Sequence, residues 1–121
     1  MDERERRRFV RLPLNIEVDY LSESDAHMQP ELYTTGSKNI SAGGICLFVF
    51  EQLHKGELIS LKLRLPLPDE HIIIAKGRVV WLNQLQSGTS HAKPVFEAGV
   101  EFVDLRESDR QLIEQCILRK L

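Results

Sequence analysis

Apolar and polar residues alternate along most of this chain, and this alternation constrains the fold more than any other feature. The segments LPLNIEVDY and LISLKLRL each carry an apolar residue at every second position. A repeat of two residues places successive side chains on opposite faces of a strand, so each segment predicts a strand with one buried face. The length of 121 residues suits a single domain with one core.

Four further segments predict strands. They are LYTTGSK, ICLFVF, IIIAKGRVVWLN and FEAGVEFV, and Gly77 within the third predicts a bend or a bulge. Polar loops are predicted for residues 22–31 and for QLQSGTSHAKP, and the two prolines of PLPDE predict a turn.

The C-terminal segment changes to a helical repeat. Apolar residues recur on one helical stripe, which comprises Leu112, Ile113, Cys116, Ile117 and Leu121. Ser108 and Gln111 have the spacing of a capping box, so we predict a helix over about residues 109–120. Six strands with short turns followed by one helix predict an all-β fold, a small antiparallel barrel packed by one α-helix.

The charge is distributed unevenly. The net charge is −2, yet five of the 16 Lys+Arg residues lie between Arg4 and Arg11. Such a cluster indicates a local anion site rather than binding of a nucleic-acid polymer by the whole surface. We interpret residues 1–11 as a flexible arginine-rich arm and residues 12–121 as the barrel domain.

The cysteines and the apolar runs indicate a compartment. Cys46 and Cys116 are far apart in apolar segments, so we predict buried free thiols in a reducing environment. No apolar run approaches the ~20 residues needed to span a bilayer. We therefore expect a cytoplasmic protein without membrane insertion.

Motifs for catalysis are absent from the sequence. The four histidines lack metal-ligand spacing, and neither a P-loop nor a GxGxxG motif is present. We expect a protein that is not an enzyme and that needs no metal or cofactor.

Two short segments carry the functional signal. In RRRFVR, the guanidinium groups of Arg7 and Arg11 are planar forks that suit phosphate oxygens or the O6 and N7 acceptors of guanine. In NISAGG, Asn39 and Ser41 offer polar side chains, and Gly43 and Gly44 allow a ligand to approach the backbone. Taken alone, the first could be a solvated tail and the second a tight turn.

Taken together, the two segments resemble the PilZ domain, a bacterial receptor module for cyclic di-GMP. The resemblance rests on Arg-x-x-x-Arg followed by Asn-x-Ser-x-x-Gly, and continues through GRVVWLN, AGVEFVDL and the C-terminal helix. It implies a six-stranded antiparallel barrel with a C-terminal helix, and a non-enzymatic sensor.

The resemblance also implies roles for individual residues. Arg7 and Arg11 would grip the ligand, Asn39 and Ser41 would contact a guanine, and Gly44 would keep the shape of the turn. Arg6 and Arg8 would add contacts, and an arginine at position 6 implies two ligand molecules per chain. Trp81 would lie beside the ligand or simply pack on the barrel. Ligand binding would order the arm and signal in trans to an unidentified partner protein.

Two alternatives stay open. A small barrel with a basic arm could bind single-stranded nucleic acid, although the net negative charge and the few aromatic residues disfavour it. A PilZ-type adaptor that acts without a ligand is the second, but such a domain would be expected to lack the two motif arginines.

Overall fold

The strand segments close into one antiparallel barrel with the neighbour order β1-β2-β3-β6-β5-β4. The computed structural model describes residues 13–23 and 32–120. Within them the strands and the helix are β1 (Glu17–Ser22), β2 (Tyr33–Ile40), β3 (Gly44–Val49), β4 (Leu58–Leu65), β5 (His71–Gln86), β6 (Val95–Val103) and α1 (Glu107–Lys120). The predicted six-stranded barrel with a C-terminal helix is confirmed.

Alternation along the strands builds the core. In β4 every second residue is buried, and the inward set comprises Ile59, Leu61, Leu63 and Leu65. Apolar residues of the neighbouring strand β5 and of β6 pack with this set, and Ile73, Val79, Ala98 and Val100 belong to the same cluster. Burial of these side chains is the main favourable contribution to folding.

The helix packs on this core through Ile113 and Ile117, which belong to the same buried cluster. It begins at Glu107, two residues earlier than predicted, so Ser108 lies inside the first turn and does not act as the capping residue. Acidic Glu107 and Asp109 occupy the first turn, and basic Arg119 and Lys120 occupy the last, as the helix dipole favours. Cys46 and Cys116 are buried free thiols, as predicted.

Several strand boundaries differ from the predictions. β1 begins at Glu17 rather than near Leu14. The reason is that the Ser37 side chain replaces regular backbone pairing before Glu17. Its hydroxyl accepts a hydrogen bond from Ile16 N–H at 2.9 Å and donates one to Leu14 C=O at 2.6 Å. β5 continues to Gln86, which the sequence had predicted as loop.

Gly77 is not a bulge. It faces inward, and a Cβ there would lie 2.2 Å from Val100 Cγ1, so glycine is required by close packing of the barrel interior. The irregularities of β5 lie instead between Val79 and Trp81 and between Gln84 and Gln86.

One buried carboxylate departs from the alternation. Asp19 is only 8% exposed, although its neighbours in β1 suggest a wet position. It accepts a hydrogen bond from Thr34 Oγ1 at 2.7 Å and one from Arg64 Nη2 at 3.2 Å. The hydrogen bond from Thr34 is the largest cause that lowers the pKa of Asp19 below its ordinary value, and the hydrogen bond from Arg64 is the next largest.

Candidate functional site

The predicted NISAGG turn is a strand end followed by a tight connection. Asn39 and Ile40 still belong to β2, and β3 begins at Gly44. The backbone N–H of Ser41 donates to the Gly44 carbonyl at 2.9 Å, which closes the connection.

The side chain of Ser41 holds this connection together. Its Oγ accepts hydrogen bonds from the N–H groups of Gly43 at 3.1 Å and Gly44 at 3.2 Å, and the residue is 4% exposed. Such a bond pattern, in which a serine hydroxyl accepts from backbone groups just ahead of it, stabilises turns. The structure therefore gives Ser41 a structural role in the turn, and its predicted contact with a guanine stays a prediction.

The two glycines attach the turn to β6. Gly43 C=O accepts from Phe102 N–H at 3.0 Å. Gly44 is paired with Glu101, and a Cβ at Gly44 would lie 2.4 Å from the Val100 carbonyl oxygen. Glycine at position 44 is thus required by the close approach of two strands, which is the physical basis of its predicted role in keeping the turn's shape.

A β-bulge directs two consecutive side chains outward. Ser37 and Ile40 are both buried, and the register shifts between Ser37 and Asn39. Because both flanking residues face the interior, Lys38 and Asn39 must both face outward, next to each other. Lys38 is exposed and Asn39 is half-buried.

Asn39 lies at one end of a row of paired residues that crosses four strands, and the middle two members of this row, Cys46 and Gly99, are buried. Asn39 is paired with Cys46, Cys46 with Gly99, and Gly99 with Trp81. We call this set the Asn39–Trp81 row. Three strand spacings place its two ends about 14 Å apart along the sheet.

Trp81 is packed on the barrel at the other end of the row. A Cβ at Gly99 would lie 2.0 Å from the indole Nε1 and 2.2 Å from Cε2, so the ring lies directly over this glycine. Trp81 is half-buried in this position. Of the two alternatives for Trp81, packing on the barrel is observed, and a contact with a ligand stays a prediction.

An ion pair lies beside the row. Lys38 Nζ lies 2.8 Å from Glu97 Oε1, and the two side chains are 56% and 13% exposed. Glu97 raises the pKa of Lys38, first through this hydrogen bond and second through its charge. Neither residue belongs to the two motif segments of the sequence, and the signal that points to Lys38 is its position immediately before Asn39.

The remaining predicted ligand residues, Arg6, Arg7, Arg8 and Arg11, lie outside the described residues, as do the predicted arm and most of the predicted loop 22–31. Among residues 13–23 and 32–120, no three His, Cys, Asp or Glu side chains are grouped so that they could hold a metal ion. The same ranges contain no helix with the length and apolar character needed to cross a membrane.

Comparisons with known proteins agree with this geometry. The family model described as PilZ domain matches residues 5–119. No curated protein matches the chain. Among solved structures, the inhibitor of motility MotI/DgrA from Bacillus subtilis is 27% identical with a TM-score of 0.72, and the match covers 94% of this chain and 51% of that chain.

Two further structures share the fold at lower identity. The PilZ domain of Escherichia coli YcgR with c-di-GMP is 10% identical, has a TM-score of 0.67, and matches over 96% of this chain and 91% of that chain. The K. pneumonia MrkH–c-di-GMP complex is 20% identical with a TM-score of 0.63, over 93% of this chain and 51% of that chain. The chain spans about half the length of MotI/DgrA and of MrkH.

Proposed function

The chain belongs to the PilZ domain family, and we propose that it is a receptor for cyclic di-GMP that passes the signal to a partner protein. The observation that carries this proposal is the arrangement of the motif residues Asn39, Ser41 and Gly44. Asn39 follows a β-bulge on the outer face of the barrel, and Ser41 and Gly44 belong to a hydrogen-bonded turn. The family match includes the arginine segment that precedes the barrel. The ligand in the YcgR and MrkH structures supports the choice of cyclic di-GMP.

In the proposed complex, the arginines and the barrel hold the ligand from two sides. Arg7 and Arg11 bind guanine acceptors or phosphate oxygens through their guanidinium forks, and Arg8 adds a contact. Asn39 contacts a guanine edge from the barrel, because its amide both donates and accepts and because the bulge directs it outward. Ser41 and Gly43 contribute mainly by fixing this part of the backbone.

Ligand binding would change the order of the N-terminal segment. Residues rich in like charge repel one another and bury little apolar surface, so a segment such as 1–11 gains order when an anion bridges it to the barrel. The bridged segment and the neighbouring barrel surface would then present a new face to a partner. No chemical conversion of the ligand is part of this mechanism.

We further propose that two cyclic di-GMP molecules bind per chain. Two stacked dinucleotides carry four phosphate charges, and repulsion between them must be offset. Arg6 supplies an additional guanidinium next to the motif, which can contact the second molecule.

Isothermal titration calorimetry with cyclic di-GMP tests the proposal, with GMP and cyclic di-AMP as controls. Guanine offers acceptors at O6 and N7 whereas adenine carries a donor at N6, so cyclic di-AMP should bind far more weakly. Absence of heat with cyclic di-GMP would refute the receptor function and favour an adaptor that acts without a ligand. Displacement of cyclic di-GMP by excess single-stranded oligonucleotide would favour a nucleic-acid-binding protein instead.

A further inference from the structure

The bulge in β2 sets a cation directly beside the proposed guanine contact. Ser37 and Ile40 both face the interior, so Lys38 and Asn39 share the outer face. The ammonium group of Lys38 is bonded to Glu97 at 2.8 Å, yet the lysine side chain is 56% exposed. A lysine in this position has donors that an incoming ligand can reach.

The position of Glu97 makes this ion pair part of the ligand-facing surface. Glu97 is paired with Phe48 in β3 and with Asn83 in β5, and it lies two residues before Gly99 on the same side of β6. The Lys38–Glu97 contact therefore crosses β3 next to the Asn39–Trp81 row. Glu97 is the less exposed member of the pair, because 13% of its side chain is exposed.

We propose that Lys38 binds a phosphate of the cyclic dinucleotide, and that Glu97 holds the Lys38 ammonium group in the free protein and so limits the affinity. This inference rests on the proposed function and adds two residues to its site. Because the lysine side chain of this pair is more than half exposed, the pair contributes little to folding, and Lys38 can exchange a carboxylate for a phosphate at small cost. The ammonium group carries three donors, and it can also keep Glu97 while it contacts the ligand.

Charge balance predicts opposite effects for the two residues. The ligand is an anion, so an unpaired Glu97 carboxylate close to it is repulsive and the Lys38 ammonium group is attractive. Substitution of Glu97 by glutamine removes the repulsion and also releases Lys38 from its partner. Substitution of Lys38 by glutamine removes the attraction and leaves Glu97 facing the ligand without a counter-charge.

The experiment is calorimetry with cyclic di-GMP on the wild type, Lys38→Gln, Glu97→Gln and the double variant. Because charged contacts near the surface are modest, Lys38→Gln should weaken binding about fivefold and Glu97→Gln should tighten it about threefold. The double variant should bind only slightly more tightly than Lys38→Gln, since without Lys38 the loss of Glu97 removes only its direct repulsion of the ligand. Lys38→Gln should also make the affinity less sensitive to salt, because one charged contact is lost.

Two variants control for a general effect of net charge. Lys55→Gln and Glu114→Gln change the charge by the same amounts at exposed positions of a turn and of α1, and neither should alter the affinity. Lys38→Arg keeps the positive charge and should stay within about twofold of the wild type. Thermal unfolding of each variant verifies that the barrel is intact.

The outcomes separate this inference from the proposed function. Wild-type binding with unchanged affinity in Lys38→Gln would overturn only the role of Lys38. If Glu97→Gln raised the affinity for cyclic di-GMP equally in the presence and absence of Lys38, the proposal that Glu97 restrains Lys38 in the free protein would be overturned. A wild-type protein that binds no cyclic di-GMP would overturn the receptor function and this inference together.

Discussion

The indole of Trp81 lies over Gly99, its cross-strand partner, at the place where any other residue would carry a Cβ atom. The glycine creates the space for the ring, and the ring covers the backbone that the glycine leaves bare. This pairing fixes one end of the Asn39–Trp81 row. It also makes Trp81, the only tryptophan of the chain, a reporter of that face.

Replacement of Gly99 by alanine should displace the indole, because the new methyl group would lie 2.0 Å from Nε1. We expect a loss of about 1–3 kcal/mol in the free energy of unfolding, typical of overpacked sites, and a shift of the Trp81 fluorescence. Urea denaturation monitored by fluorescence measures both. Gly36→Ala is the control, since the nearest atoms to its Cβ would belong to the exposed Asn15 amide, which can move. An equal loss of stability in Gly36→Ala would contradict the packing argument.

Replacement of Arg7 or Arg11 by alanine should nearly abolish binding of cyclic di-GMP while the barrel stays folded. Each substitution removes a bidentate charge-assisted contact worth ~1–3 kcal/mol. Lysine at either position should fail as well, because the planar fork is lost. Calorimetry measures the affinity, and thermal unfolding verifies the fold. Arg4→Ala is the control, since Arg4 lies in the same arginine segment but outside the motif. Near-wild-type affinity of the double variant Arg7→Ala/Arg11→Ala would remove these residues from the site.

Replacement of Arg6 by leucine should lower the number of ligands per chain from two to one without abolishing binding. The physical reason is the loss of the guanidinium that offsets repulsion between two stacked dinucleotides. The calorimetric ratio measures the change, and Arg4→Leu should retain the wild-type ratio. A wild-type titration that ends at one ligand per chain would refute the role assigned to Arg6.

Asn39→Ala and Ser41→Ala should differ in what they change. Asn39 is half-buried on the outer face, so its loss should weaken ligand binding with little effect on stability. Ser41 Oγ bonds two backbone N–H groups in a buried turn, so its loss should cost about 1–3 kcal/mol of stability as well as affinity. Calorimetry paired with chemical denaturation separates the two effects, and a Ser41→Ala protein of unchanged stability would restore a direct ligand role for this hydroxyl.

Asp19 should make folding stability depend on pH. Its pKa is held below the ordinary value of 3.8 in the folded protein, so its contribution is complete above that value and is lost as the pH falls through the lower, folded-state pKa. Asp19→Asn should therefore be less stable than the wild type near neutral pH, by about 1–2 kcal/mol, and the difference should shrink in acid. Urea denaturation over a pH series tests this against Asp69→Asn, a change in an exposed turn. A difference that does not vary with pH would exclude the ionised form of Asp19 as the cause.

Much of this architecture could be predicted from the sequence because the information is local. Alternation in segments such as LISLKLRL is a direct consequence of strand geometry, and the helical repeat of the C-terminal segment follows from its apolar stripe. The motif residues Asn39, Ser41 and Gly44 could also be identified, because they lie within one short segment. The count of six strands and one helix then suffices to indicate the type of barrel.

Tertiary structure decided what depends on pairing between distant segments. The outward position of Lys38 follows from a bulge whose register is set against β3, and its contact with Glu97 joins residues 59 positions apart in the chain. The glycines at 44, 77 and 99 are required by strands or rings that approach from elsewhere, so their roles cannot be read from local turn preferences. Asp19 is buried because Thr34 and Arg64, supplied by two neighbouring strands, satisfy its charge. Alternation determines which residues can face the core, whereas the register of the closed barrel determines which outward-facing residues meet.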